Sequence, residues 1–453
     1  MAAEHHQLHF VLVPLMAQGH MIPMIDMARL LAQRGVIVTF VTTLVNASRF
    51  KTATDRAVES GLPIRLLPLR FPCLEAGLPE GCENLDSIPS ADLIRNFLDA
   101  ASMLQQPLEQ YLQQQQQPTP NCIIADSYLP WTSRIANKFQ IPRLIFHGMC
   151  CFSLLGSHNV QHYNAYKTVS SDSEPFMVPG MLHRVEITKA QLPGSFVVKP
   201  ELEDIRRQIR EADLTAYGVV MNSFKELELG YVEEYQKAIQ KKVWCIGPVS
   251  LCNKDDLDKF ERGNKASVEQ NQCSAWLDSM KPKSVLYACL GSQCRLVPLQ
   301  LIELGLGLEA SNYPFIWVIR TADRFAELEK WFEERIKGVP MITWPMFAEQ
   351  FFNEKLIIHV LKIGVRIGVE VPVKLGDEEK VGVLVKREEI EKAIKLLMQE
   401  GNEGEERRNK ASELGQKAKK ATEEKGSSYL NMSLLIQEIM QEGQKKCSQN
   451  KES

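Results

Sequence analysis

No stretch of this chain approaches the roughly 20 consecutive apolar residues that span a bilayer, so no membrane crossing is expected. Neither leading strand is followed by a G-x-G-x-x-G, which argues against a nicotinamide-dependent oxidoreductase. No C-x-x-C pair occurs. The 11 cysteines are odd in number and scattered from Cys73 to Cys447, and the adjacent Cys150 and Cys151 do not readily bridge each other. Free thiols in a reducing compartment, and so a cytoplasmic protein, are expected. The sequence offers no cluster with metal-ligand spacing. With 53 Lys and Arg against 56 Asp and Glu, net charge is -3; without a clustered basic surface, neither nucleic acid nor anionic lipid is an expected partner. The apolar run Leu8 to Ala17 is broken by Pro14, preceded by Glu4 rather than a basic residue, and followed by no small-residue cleavage site. It reads as a first buried strand, not a signal peptide.

What is present points to an α/β protein. A length of 453 residues with 44% hydrophobic and 24% charged content fills two cores of ordinary size. Short β-rich runs alternate with amphipathic helical stretches, the pattern of parallel sheets covered by helices. HFVLVPL, VIVTFVTT, PIRLLPL, NCIIADS, RLIFHGM and GVVMNSF are the strand candidates of the first half, and SVLYACLGS, PFIWVIR and PMITWP those of the second. A polar stretch with little periodic apolar content separates the halves. The expected division is residues 1–250 as one Rossmann-like domain, 251–273 as linker, 274–425 as a second Rossmann-like domain, and 426–453 as a closing helix and tail. Two such domains leave a cleft at the carboxyl ends of their sheets, where open α/β folds bind ligands. The glutamine run Gln113 to Gln117 reads as an exposed helix end.

His20 is the strongest chemical candidate. It follows the first strand, after Gly19 and ahead of a Pro-containing helix start, so its imidazole sits at the sheet's carboxyl edge, where it can act as a general base at neutral pH. Alone it would read as a residue that merely starts a helix. Asp126 changes the balance: it ends the strand CIIAD at a second carboxyl edge, where a carboxylate can hold the imidazole in one tautomer and stabilise its cation. Alone, Asp126 would read as an N-cap for the segment that follows.

GVPMITWPMFAEQFFN, residues 338–353, resembles the closing third of the donor-binding box of plant UDP-dependent glycosyltransferases, and the resemblance extends over essentially the whole chain. It implies a GT-B fold of two Rossmann-like domains and transfer of glucose from UDP-glucose to a hydroxyl of a small lipophilic plant metabolite such as a flavonoid, triterpenoid, steroid or hormone. It implies inversion at the sugar, no cofactor beyond the UDP-sugar co-substrate, a monomer, and a last helix that returns to the first domain. Residue by residue, it makes His20 the base and Asp126 its orienting acid, and assigns donor binding to Gly291, Ser292, Glu349 and Gln350. Gly19, His147, Cys150, Phe152 and Phe176 then line the acceptor site, although core packing is the better reading of His147, Cys150, Phe152 and Phe176 taken singly, especially of the two aromatics. Glu349 and Gln350 equally suit the start of a helix.

The earlier two thirds of that box are missing. Neither its Trp-Ala-Pro-Gln opening nor its His-Cys-Gly-Trp-Asn-Ser stretch occurs in this chain, and the fragment follows directly on the charged segment ELEKWFEERIK. By the family's topology the second domain thereby loses two strands, one of them central, and is truncated. Its sheet is expected either to re-pair, with PMITWP beside SVLYACL, or to stay partly open. The competing function is therefore a catalytically impaired relative that keeps only an acceptor-binding cleft.

Overall fold

The computed structural model describes residues 7–114, 118–196, 200–253, 270–291, 296–318, 339–373 and 378–452. Most of the expected linker, Gln115 to Gln117 of the glutamine run, the segment ELEKWFEERIK and Gly338 lie outside these residues.

The strands are β1 (His9–Val13), β2 (Ile37–Thr43), β3 (Ile64–Leu69), β4 (Cys122–Asp126), β5 (Arg143–His147), β6 (Pro175–Met177), β7 (Glu186–Thr188), β8 (Gly218–Met221), β9 (Lys242–Cys245), β10 (Leu286–Cys289), β11 (Phe315–Val318), β12 (Met341–Thr343) and β13 (Gly364–Arg366). Among the described residues the chain forms two compact units. One takes in Met1–Cys150, Lys199–Arg262 and Ala418–Ser453, the other Cys151–Val198 and Gly263–Lys417.

The first unit is built on a seven-stranded parallel sheet in the order β3-β2-β1-β4-β5-β8-β9. Its central strands are wholly buried and apolar without alternation between their ends, as expected of strands covered on both faces. The order reverses between β1 and β4, and the helix Gln18–Ala32 leaves β1 at that point. A doubly wound sheet opens its ligand crevice at such a reversal. The closing helix, Ser427–Glu452, packs on this unit through Met432, Leu435 and Ile439. Ser428 donates to the Gly247 carbonyl at 2.5 Å, Asn431 to the Cys245 carbonyl at 3.0 Å, and the Arg34 guanidinium lies 4.5 Å over the Tyr429 ring.

The second unit has no comparable sheet among the described residues. β10 pairs with β11 and β12 with β13, each in parallel, and no ladder joins the two pairs. Among the described residues β12 takes β13, so the expected re-pairing of PMITWP with SVLYACL is corrected, and the alternative expectation, a sheet left partly open, describes these ladders. An ion pair on a buried carboxylate bridges the two strands. Glu354, 1% exposed, accepts from Thr343 of β12 and from Arg366 Nε of β13, both at 2.7 Å. Removing Arg366 leaves the buried Glu354 carboxylate without its cation, at a cost of up to about 3 kcal/mol. A short antiparallel pair, β6 with β7, completes the unit. The helix Cys151–His162 joins it because Gly156 lets the Phe352 ring approach closely: a Cβ there would lie 2.5 Å from that ring.

The contrast between the sheets sets a measurable expectation. Amides of Val11 to Val13 and Ile123 to Ala125 sit in ladders flanked on both sides, whereas β10 has one partner strand among the described residues. Native-state hydrogen exchange should therefore be slower in those segments than in Val285 to Ala288. The reverse order would refute this account of the two units.

Candidate functional site

β1 and β4 are neighbours, so the turn after one and the last residue of the other meet at the sheet's carboxyl edge. His20 stands in the first turn of the helix Gln18–Ala32, its amide donating to the Ala17 carbonyl. From there its Nδ1 lies 2.6 Å from Asp126 Oδ2. A carboxylate only accepts, so Nδ1 carries the proton and Nε2 holds the lone pair. The imidazole is 32% exposed while the carboxylate is 2% exposed, which places a reachable base on a sequestered acid. The other oxygen of Asp126 accepts from the Tyr128 amide at 3.0 Å. One oxygen thus grips the histidine and the other shapes the turn; the N-cap reading is corrected, because the next helix begins only at Thr132, with Trp131 at its N-cap.

Burial pushes the Asp126 carboxyl up, but the charge and hydrogen bond of His20, together with the Tyr128 amide, hold it below the usual carboxylate range. It therefore stays ionised and can stabilise an imidazolium. His147 ends β5, the next strand. Burial pushes its pKa down to about 4, against the pull of Asp126, so it is neutral at physiological pH. The Tyr128 ring meets His20 edge-on with centroids 6.2 Å apart. Tyr128 was not among the sequence candidates; its signal is an aspartate followed two residues later by the donating amide, the pattern of an Asx turn. Around this edge, Leu44 and Val45 after β2, Leu74 after β3 and Tyr128 after β4 are exposed apolar side chains.

Of the remaining acceptor candidates, Gly19 precedes His20 in the helix start and Cys150 is partly exposed. Phe152 and Phe176 belong to the second unit, where they are 0% and 5% exposed, burial that favours packing for both.

On the donor side, Gly291 follows β10 with φ of +85°, a conformation suited to glycine. Ser292 lies outside the described residues. Glu349 and Gln350 stand at the start of the helix Gln350–Lys355, where the Glu349 side chain makes no capping hydrogen bond. Its Oε1 accepts instead from Asn353 at 3.4 Å, and the Gln350 carbonyl accepts from the Met346 and Phe347 amides at 2.7 and 3.2 Å. Ala348, just before them, has φ of +53°, a strained position for a residue other than glycine and one that recurs at ligand sites. Among the described residues no group of three or more His, Cys, Asp or Glu is placed to hold a metal ion, and no helix is long and apolar enough to cross a membrane.

Comparison with known proteins agrees with this architecture. The family model for the glycosyltransferase N-terminal domain matches residues 6–251. UDP-glycosyltransferase 73D1 of Arabidopsis thaliana is 51% identical, with 96% of this chain and 97% of that protein covered. UDP-glycosyltransferase 73C12 of Barbarea vulgaris is 48% identical over 96% and 97% of the two chains. The first alignment runs over 494 residues, more than the 453 of this chain, so the relative carries residues that have no counterpart here. The crystal structure of Glycyrrhiza uralensis UGT73P12, complexed with glycyrrhetinic acid 3-O-monoglucuronide, superposes with a TM-score of 0.87 at 33% identity, covering 98% of each chain. For the fold alone, Medicago truncatula UGT71G1 complexed with UDP-glucose gives 0.76 at 19% identity, covering 97% of this chain and 100% of that one. With its parallel doubly wound sheet and these relatives, the chain is a GT-B-fold member of the plant UDP-glycosyltransferase family.

Proposed function

We propose that this chain carries the acceptor half of an inverting glucose transfer in working order and the donor half in incomplete form. The 2.6 Å contact between His20 and Asp126 carries the first part. In the proposed step, Nε2 of His20 removes the proton from an acceptor hydroxyl as that oxygen attacks the anomeric carbon of UDP-glucose. The bond from that carbon to the diphosphate oxygen breaks, UDP leaves, and the sugar is inverted. Asp126 stays ionised and stabilises the imidazolium. The step calls for no metal and no cofactor beyond the co-substrate.

The exposed Leu44, Val45, Leu74 and Tyr128 suit a lipophilic acceptor such as a flavonoid, triterpenoid, steroid or hormone, and the triterpenoid derivative in the UGT73P12 structure supports that class. His147 and Cys150 are the residues we assign to its polar contacts. For the donor, Gly291 and Ser292 are assigned to phosphate, Glu349 and Gln350 to sugar hydroxyls. Because the Gln350 carbonyl is engaged by backbone, its amide N–H groups would meet the sugar. A cytoplasmic monomer is part of the same reading.

Incompleteness of the donor half is supported by the absent box strings, by the longer alignment with the Arabidopsis relative, and by the two separate ladders of the second unit. The test is a repair. Inserting a family-type segment between Lys337 and Val339 should restore glucose transfer, and His20→Ala in the repaired chain should lower it by about 10²–10⁴-fold, the contribution of a positioned base. Repaired activity that survives His20→Ala would sink the base assignment.

A further inference from the structure

His158 and His162 stand on the helix Cys151–His162, one in its last full turn and the other at its final position. Side chains at this spacing lie one above the other on the same helical face. The two imidazoles accordingly meet, with centroids 5.8 Å apart and planes 11° from parallel. His158 is half-buried and His162 exposed, so solvent reaches the pair. Among the described residues no hydrogen bond engages either ring. The Tyr163 ring packs edge-on against His162, with centroids 4.8 Å apart.

Neutral imidazole, the form that prevails near pH 7, is the commonest protein ligand for transition-metal ions. An ion roughly 2.0–2.1 Å from one nitrogen of each ring, with a tetrahedral angle between them, sets the centroids roughly 5 Å apart. From 5.8 Å that is a shift of about 1 Å, with rotation about the final side-chain torsion, which is broad for histidine.

Two further features favour a cation at this place. The pair sits at the carboxyl end of a 12-residue helix, where the aligned peptide dipoles present partial negative charge. The backbone that carries the rings is also held in place. Asn159, between them, donates to the Pro179 carbonyl at 2.9 Å, and Gly156 lies against the Phe352 ring. Ligands projecting from an anchored helix reach an ion with little ordering left to do.

We propose that His158 and His162 together chelate one divalent first-row transition cation, with water completing its coordination. The softness of imidazole nitrogen selects Cu²⁺ most strongly, Ni²⁺ and Zn²⁺ less so, and leaves Mg²⁺, which prefers oxygen ligands, unbound.

Calorimetric titration of the full chain with these four ions tests it, in a background where His5→Gln and His6→Gln remove the adjacent imidazoles near the N-terminus. Ni²⁺ is expected to bind saturably below about 1 mM, with Cu²⁺ tighter and Mg²⁺ silent. His158→Gln and His162→Gln should each weaken Ni²⁺ by about tenfold or more, because either change turns a two-point attachment into a one-point one. For the same reason the double variant should resemble either single one. Should His158→Gln fail to fold, His162→Gln, at an exposed position, decides. The proposal is overturned if Ni²⁺ gives no saturable heat up to about 1 mM, or if a folded single variant binds it as the unaltered chain does. It is equally overturned if equimolar Mg²⁺ displaces Ni²⁺, or if the two single losses add up to that of the double variant, the mark of two separate sites.

Discussion

Incubated with UDP-glucose and a flavonol or triterpenoid, the 453-residue chain is expected to transfer little or no glucose. The proposed base, His20, stands against Asp126, but a base acts only when the anomeric carbon is held in line with the acceptor oxygen, and that positioning comes from binding the nucleotide. The family resemblance assigns uracil stacking, ribose binding and most phosphate contacts to strings this sequence lacks. What is left is Gly291, with its open left-handed turn, Ser292, and the Glu349–Gln350 pair. Each 1.4 kcal/mol of lost donor affinity is about tenfold, and losing several such contacts lowers transfer by on the order of 10³-fold or more. A mass-spectrometric assay for the glucosylated product, run beside the repaired chain, reads this out. Turnover by the unmodified chain within tenfold of the repaired one would show that other residues replace the missing site.

The second large effect is on stability, and it comes from histidines. His9 begins β1 fully buried, its Nδ1 donating to the Pro118 carbonyl at 2.9 Å and its Nε2 accepting from Thr39 at 2.8 Å. Burial lowers its pKa to about 4, and burial does the same to His147. Unfolding returns both to about 6.5, so between pH 6.5 and 4 the unfolded chain binds more protons than the folded one. Stability therefore rises with pH across that window and is lost on acidification. From pH 7 to pH 5 each histidine costs about 2 kcal/mol, roughly 4 together. Asp126 works in a different window. Its depressed pKa adds stability that is present above the ordinary carboxylate value and lost only as pH falls below it. Urea denaturation of the first unit at pH 7 and pH 5 should show the loss, and His147→Gln should remove about half of it. A midpoint unchanged between the two pH values would contradict the assignment of both histidines as buried neutral groups.

Much of the first unit is legible in the residues, because strands buried on both faces leave mostly apolar runs, as β1, β2, β4 and β5 do. The His20–Asp126 contact spans 106 positions, yet it is readable because Asp126 ends one strand and His20 opens the helix after its neighbour, at one carboxyl edge of a parallel sheet. Other features leave no such trace. β6, β7 and β13 are three residues long, too short to show a period. Glu354 pairs with Arg366, and nothing in the sequence announces which strand β12 will take, although a partly open sheet is one of the two outcomes that the missing strings imply. The helix Cys151–His162 follows β5 in sequence but groups with the second unit, since Gly156 fits against Phe352, a match of shape that only the folded chain displays. Likewise, the resemblance offered Phe152 and Phe176 as acceptor contacts, and their burial favours the packing that their residue types suggested beside it.

The central claim is that the acceptor-side machinery is present while nucleotide binding is not. Calorimetric titration of the unmodified chain with UDP tests it most directly, with the repaired chain as the positive control. The expected result is no saturable binding up to about 1 mM, corresponding to less than roughly 4 kcal/mol of affinity, beside clear saturation in the repaired chain. Saturable binding of UDP by the unmodified chain at micromolar concentrations would contradict the account.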